Sequence, residues 1–239
     1  WSANNGDRNN IPTDKAVGRI TYPKEFKLFN LNIEPLRQEL LSVVDRSLKQ
    51  STVITLPNAK GDLEQFEVYE ASNFEPDLQA KFPEIRAYSG KGITDQYATV
   101  KLSISPQGIQ TMVFRTDLEN EFIEPYSNDH RVYSVYRSHR DKGKLPWTCS
   151  TPEEQLSSSI NSAVSRTEAR GRSTGQLKTI RLAQSCNAEY SNWFGATSSA
   201  QVNLVLAAFN ATLTRCNGVY EKDLALHLNL IANTTAVIF

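Results

Sequence analysis

Gln176-Leu-Lys-Thr-Ile-Arg-Leu-Ala183, then residues 198–216, then Leu224-Ala-Leu-His-Leu-Asn-Leu-Ile-Ala232 decide the fold class of the last third of this chain. The first and last stretches alternate apolar and polar side chains and predict strands. Between them Val202, Val205, Leu206, Phe209 and Leu213 recur at helical spacing, opened by a capping-box pattern in Ser198-x-x-Gln201 and stopped at Asn217-Gly218. Strand, crossover helix, strand predicts parallel pairing with a right-handed connection. A further apolar run, Ala236-Val-Ile-Phe239, reads as a third strand without turn residues. A strand left there would expose backbone donors and apolar surface. The expectation is therefore a fragment of a longer polypeptide, with residues 224–239 ordered by pairing with a missing piece or another chain.

Composition sets the outer bounds. The 239 residues are enough for one large or two ordinary domains. Lys plus Arg (26) balances Asp plus Glu (26), so no basic field invites nucleic acid. No apolar run approaches the roughly 20 residues of a membrane-spanning helix. Trp1-Ser-Ala-Asn-Asn-Gly-Asp7 lacks the basic and apolar regions of a signal peptide. A single Met, absent from position 1, favours a chain already processed.

Residues 1–138 read as an α+β domain. Leu36, Leu40, Val43, Val44 and Leu48 predict a helix with Asn32 as N-cap and Pro35 in its first turn. Thr52-Val-Ile-Thr-Leu56 and Leu63-Glu-Gln-Phe-Glu-Val-Tyr-Glu70 flank the turn Pro57-Asn-Ala-Lys-Gly-Asp62, a hairpin signature. Leu63, Phe66 and Val68 break strict alternation, which predicts a bulge or an imperfect register. Tyr97-Ala-Thr-Val-Lys-Leu-Ser-Ile104 and Gly108-Ile-Gln-Thr-Met-Val-Phe114 flank a second turn, and shorter strands follow at Glu121-Phe-Ile-Glu124 and Val132-Tyr-Ser-Val-Tyr136. Consecutive strands with tight turns predict an antiparallel sheet, one face covered by the helix.

Residues 139–175 change character to Ser, Thr, Glu, Lys and Arg. Thr151-Pro152-Glu-Glu154 predicts a short helix start. Arg166-Thr-Glu-Ala-Arg-Gly-Arg-Ser-Thr-Gly175 reads as an exposed linker in which Arg170 and Arg172 suit an arginine-directed processing protease, the alternative being an ordinary solvated loop.

Three blocks carry a family resemblance: Leu182-Ala-Gln-Ser-Cys-Asn-Ala-Glu-Tyr190, the run from Leu206-Ala-Ala-Phe209 through Arg215-Cys-Asn-Gly-Val-Tyr-Glu-Lys-Asp-Leu-Ala225, and Leu228-Asn-Leu-Ile-Ala-Asn233. They resemble the start of the catalytic domain of bacterial secreted reprolysin-like metallopeptidases of the metzincin clan. Phe82-Pro-Glu-Ile-Arg-Ala-Tyr-Ser-Gly-Lys-Gly92 and the strands after it resemble the pro-domain of the same proteins. The resemblance implies an α+β pro-domain over residues 1–138, a linker over 139–175 and a truncated α/β catalytic domain from 176 to 239. It also implies secretion, protein or peptide substrates, and a zinc-activated water as the hydrolytic agent.

The zinc motif of such enzymes, His-Glu-x-x-His-x-x-Gly-x-x-His, is absent from these residues. His130, His139 and His227 do not share its spacing and read as structural or solvated. The resemblance therefore places the catalytic zinc site beyond Phe239, in a C-terminal remainder that is the first expected partner, and implies that this segment alone is inactive. In a secreted chain three cysteines imply a disulfide and a free thiol, or intermolecular pairing. Cys186 and Cys216 are the disulfide candidate. Cys149 has three open roles: a latency ligand to the catalytic zinc, half of a disulfide to Cys186 or Cys216, or an idle thiol. Asn210-Ala-Thr212 and Asn233-Thr-Thr235 match the glycosylation triplet by chance. The competing reading of the whole is a non-catalytic secreted binding or adhesion module whose working surface is the antiparallel sheet.

Overall fold

Alternation of apolar and polar residues becomes inner and outer faces wherever strands pair in register. The structure, a computed structural model, describes residues 1–13, 23, 25–44, 50–116, 119–138 and 176–238. Trp1–His139 and Lys178–Phe239 form one compact unit by their contacts. The strands of the first stretch are β1 (Ser2–Ala3), β2 (Lys27–Asn30), β3 (Thr52–Pro57), β4 (Leu63–Glu70), β5 (Arg86–Gly92), β6 (Thr99–Ser105), β7 (Gly108–Phe114), β8 (Glu121–Pro125) and β9 (Val132–Arg137). They join one curled sheet in the order β1-β2-β9-β8-β7-β6-β5-β4-β3, with every neighbouring pair antiparallel. The expected antiparallel sheet is present, enlarged by β1, β2 and β5.

The β3–β4 register runs unbroken from Thr52↔Val68 to Pro57↔Leu63, so the expected irregularity is absent. Leu63 is out of phase because it faces solvent at 51 % exposure beside the turn, while Phe66 and Val68 point inward. The inner face packs Ile54, Phe66, Val100, Leu102, Ile123 and Val135 against Leu36 and Leu40 of helix α1 (Ile33–Leu41). Asn32 holds the N-cap position but its side chain makes no capping bond. Residues 45–49, onto which the helix was expected to run, lie outside the described residues. Within this core the Tyr133 hydroxyl accepts from the Ile109 N–H at 3.4 Å, and burial pushes its phenol up to about 12.

The curl brings the two edges of the sheet together. Trp1, just before β1, donates from its indole Nε1 to the Thr55 carbonyl of β3 at 2.8 Å and packs edge-on against Phe29 and Tyr133. Lys27 of β2 likewise donates to the carbonyl of Lys60 in the β3–β4 turn. One aromatic side chain thus satisfies a polar group on an edge strand that lacks a strand neighbour.

The last third adds β10 (Lys178–Leu182), α3 (Ala188–Trp193), α4 (Val202–Leu224) and β11 (Leu226–Leu230). β10 and β11 pair in parallel from Lys178↔Leu226 to Leu182↔Leu230, as the strand–helix–strand order predicts. Helix α4 lies on the outer face of β5, β6 and β7, and its apolar residues Val205, Leu206, Phe209 and Leu213 share a core with Leu230 and with Phe74, Leu78 and Ile85; Leu78 belongs to the short helix α2 (Pro76–Lys81).

Two expectations fail here. The helix does not stop at Asn217-Gly218 but continues to Leu224 and ends on Ala225 in the left-handed conformation. Gly218 is a packing residue: a Cβ there would sit 2.7 Å from two ring atoms of Phe114, so its absence lets the helix approach β7. Gly218→Ala would ordinarily stabilise an exposed helix by about 1 kcal/mol. Here the clash should reverse the sign, giving a loss of about 1–3 kcal/mol in urea unfolding. A gain in stability would show that the ring yields without cost. The second failure is the terminal apolar run. Residues Thr234–Val237 form a 3-10 turn, and Ile238 makes an isolated parallel bridge to Cys186. The reason is Thr234, fully buried, whose hydroxyl donates to the Gln184 carbonyl at 3.0 Å and accepts from the Gln184 N–H at 3.3 Å, turning the chain away from a strand path.

Candidate functional site

The most heavily built polar site among the described residues lies where α4 and β11 meet the segment after β4. Asn73 leaves β4 and points into the seam, where three α4 residues one to two turns apart receive it. Its amide nitrogen donates to the Asn210 side chain at 2.9 Å and to the Thr214 hydroxyl at 2.8 Å, and its oxygen accepts from Asn217 at 2.9 Å. Asn217 also pairs with both backbone groups of Leu228: it donates to the carbonyl at 2.9 Å and accepts from the N–H at 2.8 Å. Asn210 donates to the Arg86 carbonyl at 2.9 Å. All four side chains are buried and the bonds among them are made away from water, so each unmade one would leave an orphan. Asn210, at 2 % exposure, is no glycan acceptor in the folded chain.

One turn further along α4, Glu221 bridges two elements. One carboxylate oxygen takes Lys101 of β6, and the other lies 2.7 Å from Nδ1 of His227, whose Nε2 is 3.3 Å from the Ser72 carbonyl. Burial opposes the Glu221 charge, but hydrogen bonds from His227 and Lys101 outweigh it and hold the carboxyl below its ordinary range. A carboxyl depressed by folding stabilises above its unfolded pKa, and this contribution is lost as pH falls through the folded value. Glu221→Gln should therefore cost on the order of 2 kcal/mol at neutral pH. The gap from wild type should close as pH drops through the carboxylate range, read from urea midpoints across pH. A gap that widens in acid would refute the assignment.

The outer edge of β11 is also filled. Leu230 donates its N–H to the Asn73 carbonyl at 2.7 Å, and the Glu75 N–H donates to the Leu230 carbonyl at 2.9 Å, with Phe74 in a parallel bridge to Leu230. The Glu75 carboxylate accepts from Arg181 of β10 and from the Ala232 N–H, which lower its pKa in that order.

A second charged cluster sits at the end of β7. Arg115 reaches Asp95 at 2.9 Å and Glu64 and Glu121 at 2.6 Å each. Burial works against its charge, but the bonds to Glu64 and Glu121 more than offset this and raise its pKa.

Of the histidines read as structural or solvated, His227 is held between Glu221 and Ser72, and His130 occupies a left-handed turn position with φ of 58°. Cys186 and Cys216 are both free thiols, so the candidate bridge is not formed. The topology explains this. A crossover helix runs antiparallel to its strands, so Cys186, past the end of β10, lies near the start of α4, whereas Cys216 lies toward its far end. His139, Cys149, Arg170 and Arg172 lie outside the described residues, as does the helix expected near residue 152. Among the described residues no three His, Cys, Asp or Glu side chains gather into a metal-binding set. No described helix is long and apolar enough to cross a membrane.

No protein-family model matches the sequence, and neither a curated protein nor a solved structure does.

Asn73, Asn217 and Glu221 escaped sequence reasoning. A signal for two of them exists: Asn210, Thr214, Asn217 and Glu221 fall at steps of four, three and four, a polar stripe on a helix otherwise too apolar to be solvated.

Proposed function

We propose that this chain is the N-terminal portion of a secreted zinc metallopeptidase precursor, in which residues 1–138 assist folding and cover the nascent catalytic domain. The reading rests on the resemblance of residues 82–92, 182–190 and 206–225 to that family. The observation that carries it furthest is the seam itself, in which a strand–helix–strand unit is held against an antiparallel sheet through hydrogen-bonded side chains as well as apolar contact. Such an interface suits two parts that must recognise each other, since each buried polar group specifies its partner. Zinc and the hydrolytic machinery belong to the expected remainder, and proteins or peptides are the substrates.

Sequencing the parent beyond residue 239 tests the reading. A His-Glu-x-x-His helix, with zinc bound stoichiometrically by the full-length protein and chelator-sensitive peptide hydrolysis, is the expected result. A parent without that helix turns the assignment to the binding or adhesion module.

A further inference from the structure

Segment 73–75 meets β11 in the way a bound peptide meets an open sheet edge. Its backbone exchanges hydrogen bonds with Leu230 on both sides of Phe74, at 2.7 and 2.9 Å, in parallel orientation. Phe74 is 1 % exposed and shares a core with Val205, Leu206, Phe209 and Leu230, all from the strand–helix–strand unit. Glu75 closes the contact at the rim, its carboxylate held by the Arg181 guanidinium and, at 2.8 Å, by the Ala232 N–H. Backbone pairing for affinity, one apolar pocket and one charge contact for specificity are the components of recognition by strand addition.

We propose that the outer edge of β11 is a peptide-docking site for an extended segment in which an aromatic residue is followed by an acidic one. Asn73-Phe74-Glu75 fills it in cis, and an extended segment of another protein with the same chemistry fills it when the cis segment withdraws. Withdrawal in the cell rests on the reading of a cleavable precursor; recognition does not. The parallel direction is set by the Phe74↔Leu230 bridge, and an aromatic suits the site because α4 supplies Val205 and Phe209 to the core that holds Phe74.

The test uses the full 239-residue chain carrying Phe74→Ala and Glu75→Ala, and a fluorescein-labelled peptide Ala-Ser-Asn-Phe-Glu-Pro-Asp, the sequence of residues 71–77. Anisotropy should show saturable binding to the variant and none to the wild type, whose cis segment occupies the edge. A peptide with Ala for Phe should bind at least about tenfold more weakly, and one with Lys for Glu should also weaken. Equal binding of the Phe and Ala peptides, or no binding to a variant whose circular dichroism is native, overturns the proposal. Should the double variant fail to fold, Phe74→Leu combined with Glu75→Ala takes its place, since it keeps the core apolar while weakening both side-chain contacts of the cis segment. Excess peptide should then slow amide exchange at Leu230 and Ala232, and unchanged exchange overturns the site. Peptide binding in a chain whose parent lacks a zinc motif keeps the docking site and removes the precursor reading; the opposite pair of results removes the docking site alone.

Discussion

Asn217→Leu is expected to destabilise the chain by about 3–5 kcal/mol, although leucine is the better helix former and the more apolar residue. Asn217 is 1 % exposed and makes three hydrogen bonds, one to Asn73 and two to the backbone of Leu228. Leucine fills the space but leaves the Leu228 N–H, the Leu228 carbonyl and the Asn73 oxygen without partners. Each buried orphan costs about 1–3 kcal/mol, which outweighs the few tenths gained in helix propensity. The damage should be local first, so amide exchange should quicken at Leu228 and Leu230 before the curled sheet responds. Asn217→Asp should fare no better, because a carboxylate accepts from Leu228 but cannot donate to Asn73 and buries a charge. Urea unfolding measures the loss. A cost under about 1 kcal/mol would mean that water reaches the seam and satisfies the orphans.

Strand composition in β3, β4 and β6 to β9, with turn residues between them, was enough to predict an antiparallel sheet; β3 and β4 bury one face, whereas β6 and β7 are buried on both because α4 covers the outer one. The parallel pair β10 and β11 was legible for a different reason: a long helix between two strands leaves the chain little alternative to a crossover. The features that escaped are those whose meaning is supplied by something distant in sequence. Asn217-Gly218 has the composition of a helix stop, and only Phe114 of β7 and Asn73 beyond β4 turn it into a contact point inside the helix. Ala236-Val-Ile-Phe239 has strand composition, and only the bonds from Thr234 to Gln184 bend it into a turn. Residues 73–75 carry no periodic signal at all, since three residues are too few to show one. The sheet could be read from local pattern, whereas the seam is written in pairs of residues more than a hundred positions apart.

Arg115→Met is expected to cost about 3–5 kcal/mol at neutral pH, because it strips the cation from buried carboxylates. The guanidinium is 6 % exposed and bonds Glu64 and Glu121, whose side chains are 12 % and 4 % exposed, while Asp95 at 35 % keeps its access to water. Without Arg115 the cation left beside Glu121 among the described residues is Arg137, at 3.6 Å, too distant for a strong bond. Methionine restores the volume, so the loss reports charge rather than cavity. Asp95→Asn is the control for the exposed member and should cost less than about 1 kcal/mol. Urea midpoints for wild type, Arg115→Met and Arg115→Met combined with Glu121→Gln and Glu64→Gln separate the contributions. The combined variant should recover much of the loss, because neutral amides no longer require a cation. A combined variant as unstable as Arg115→Met would place the role of Arg115 in the packing of its alkyl stem instead.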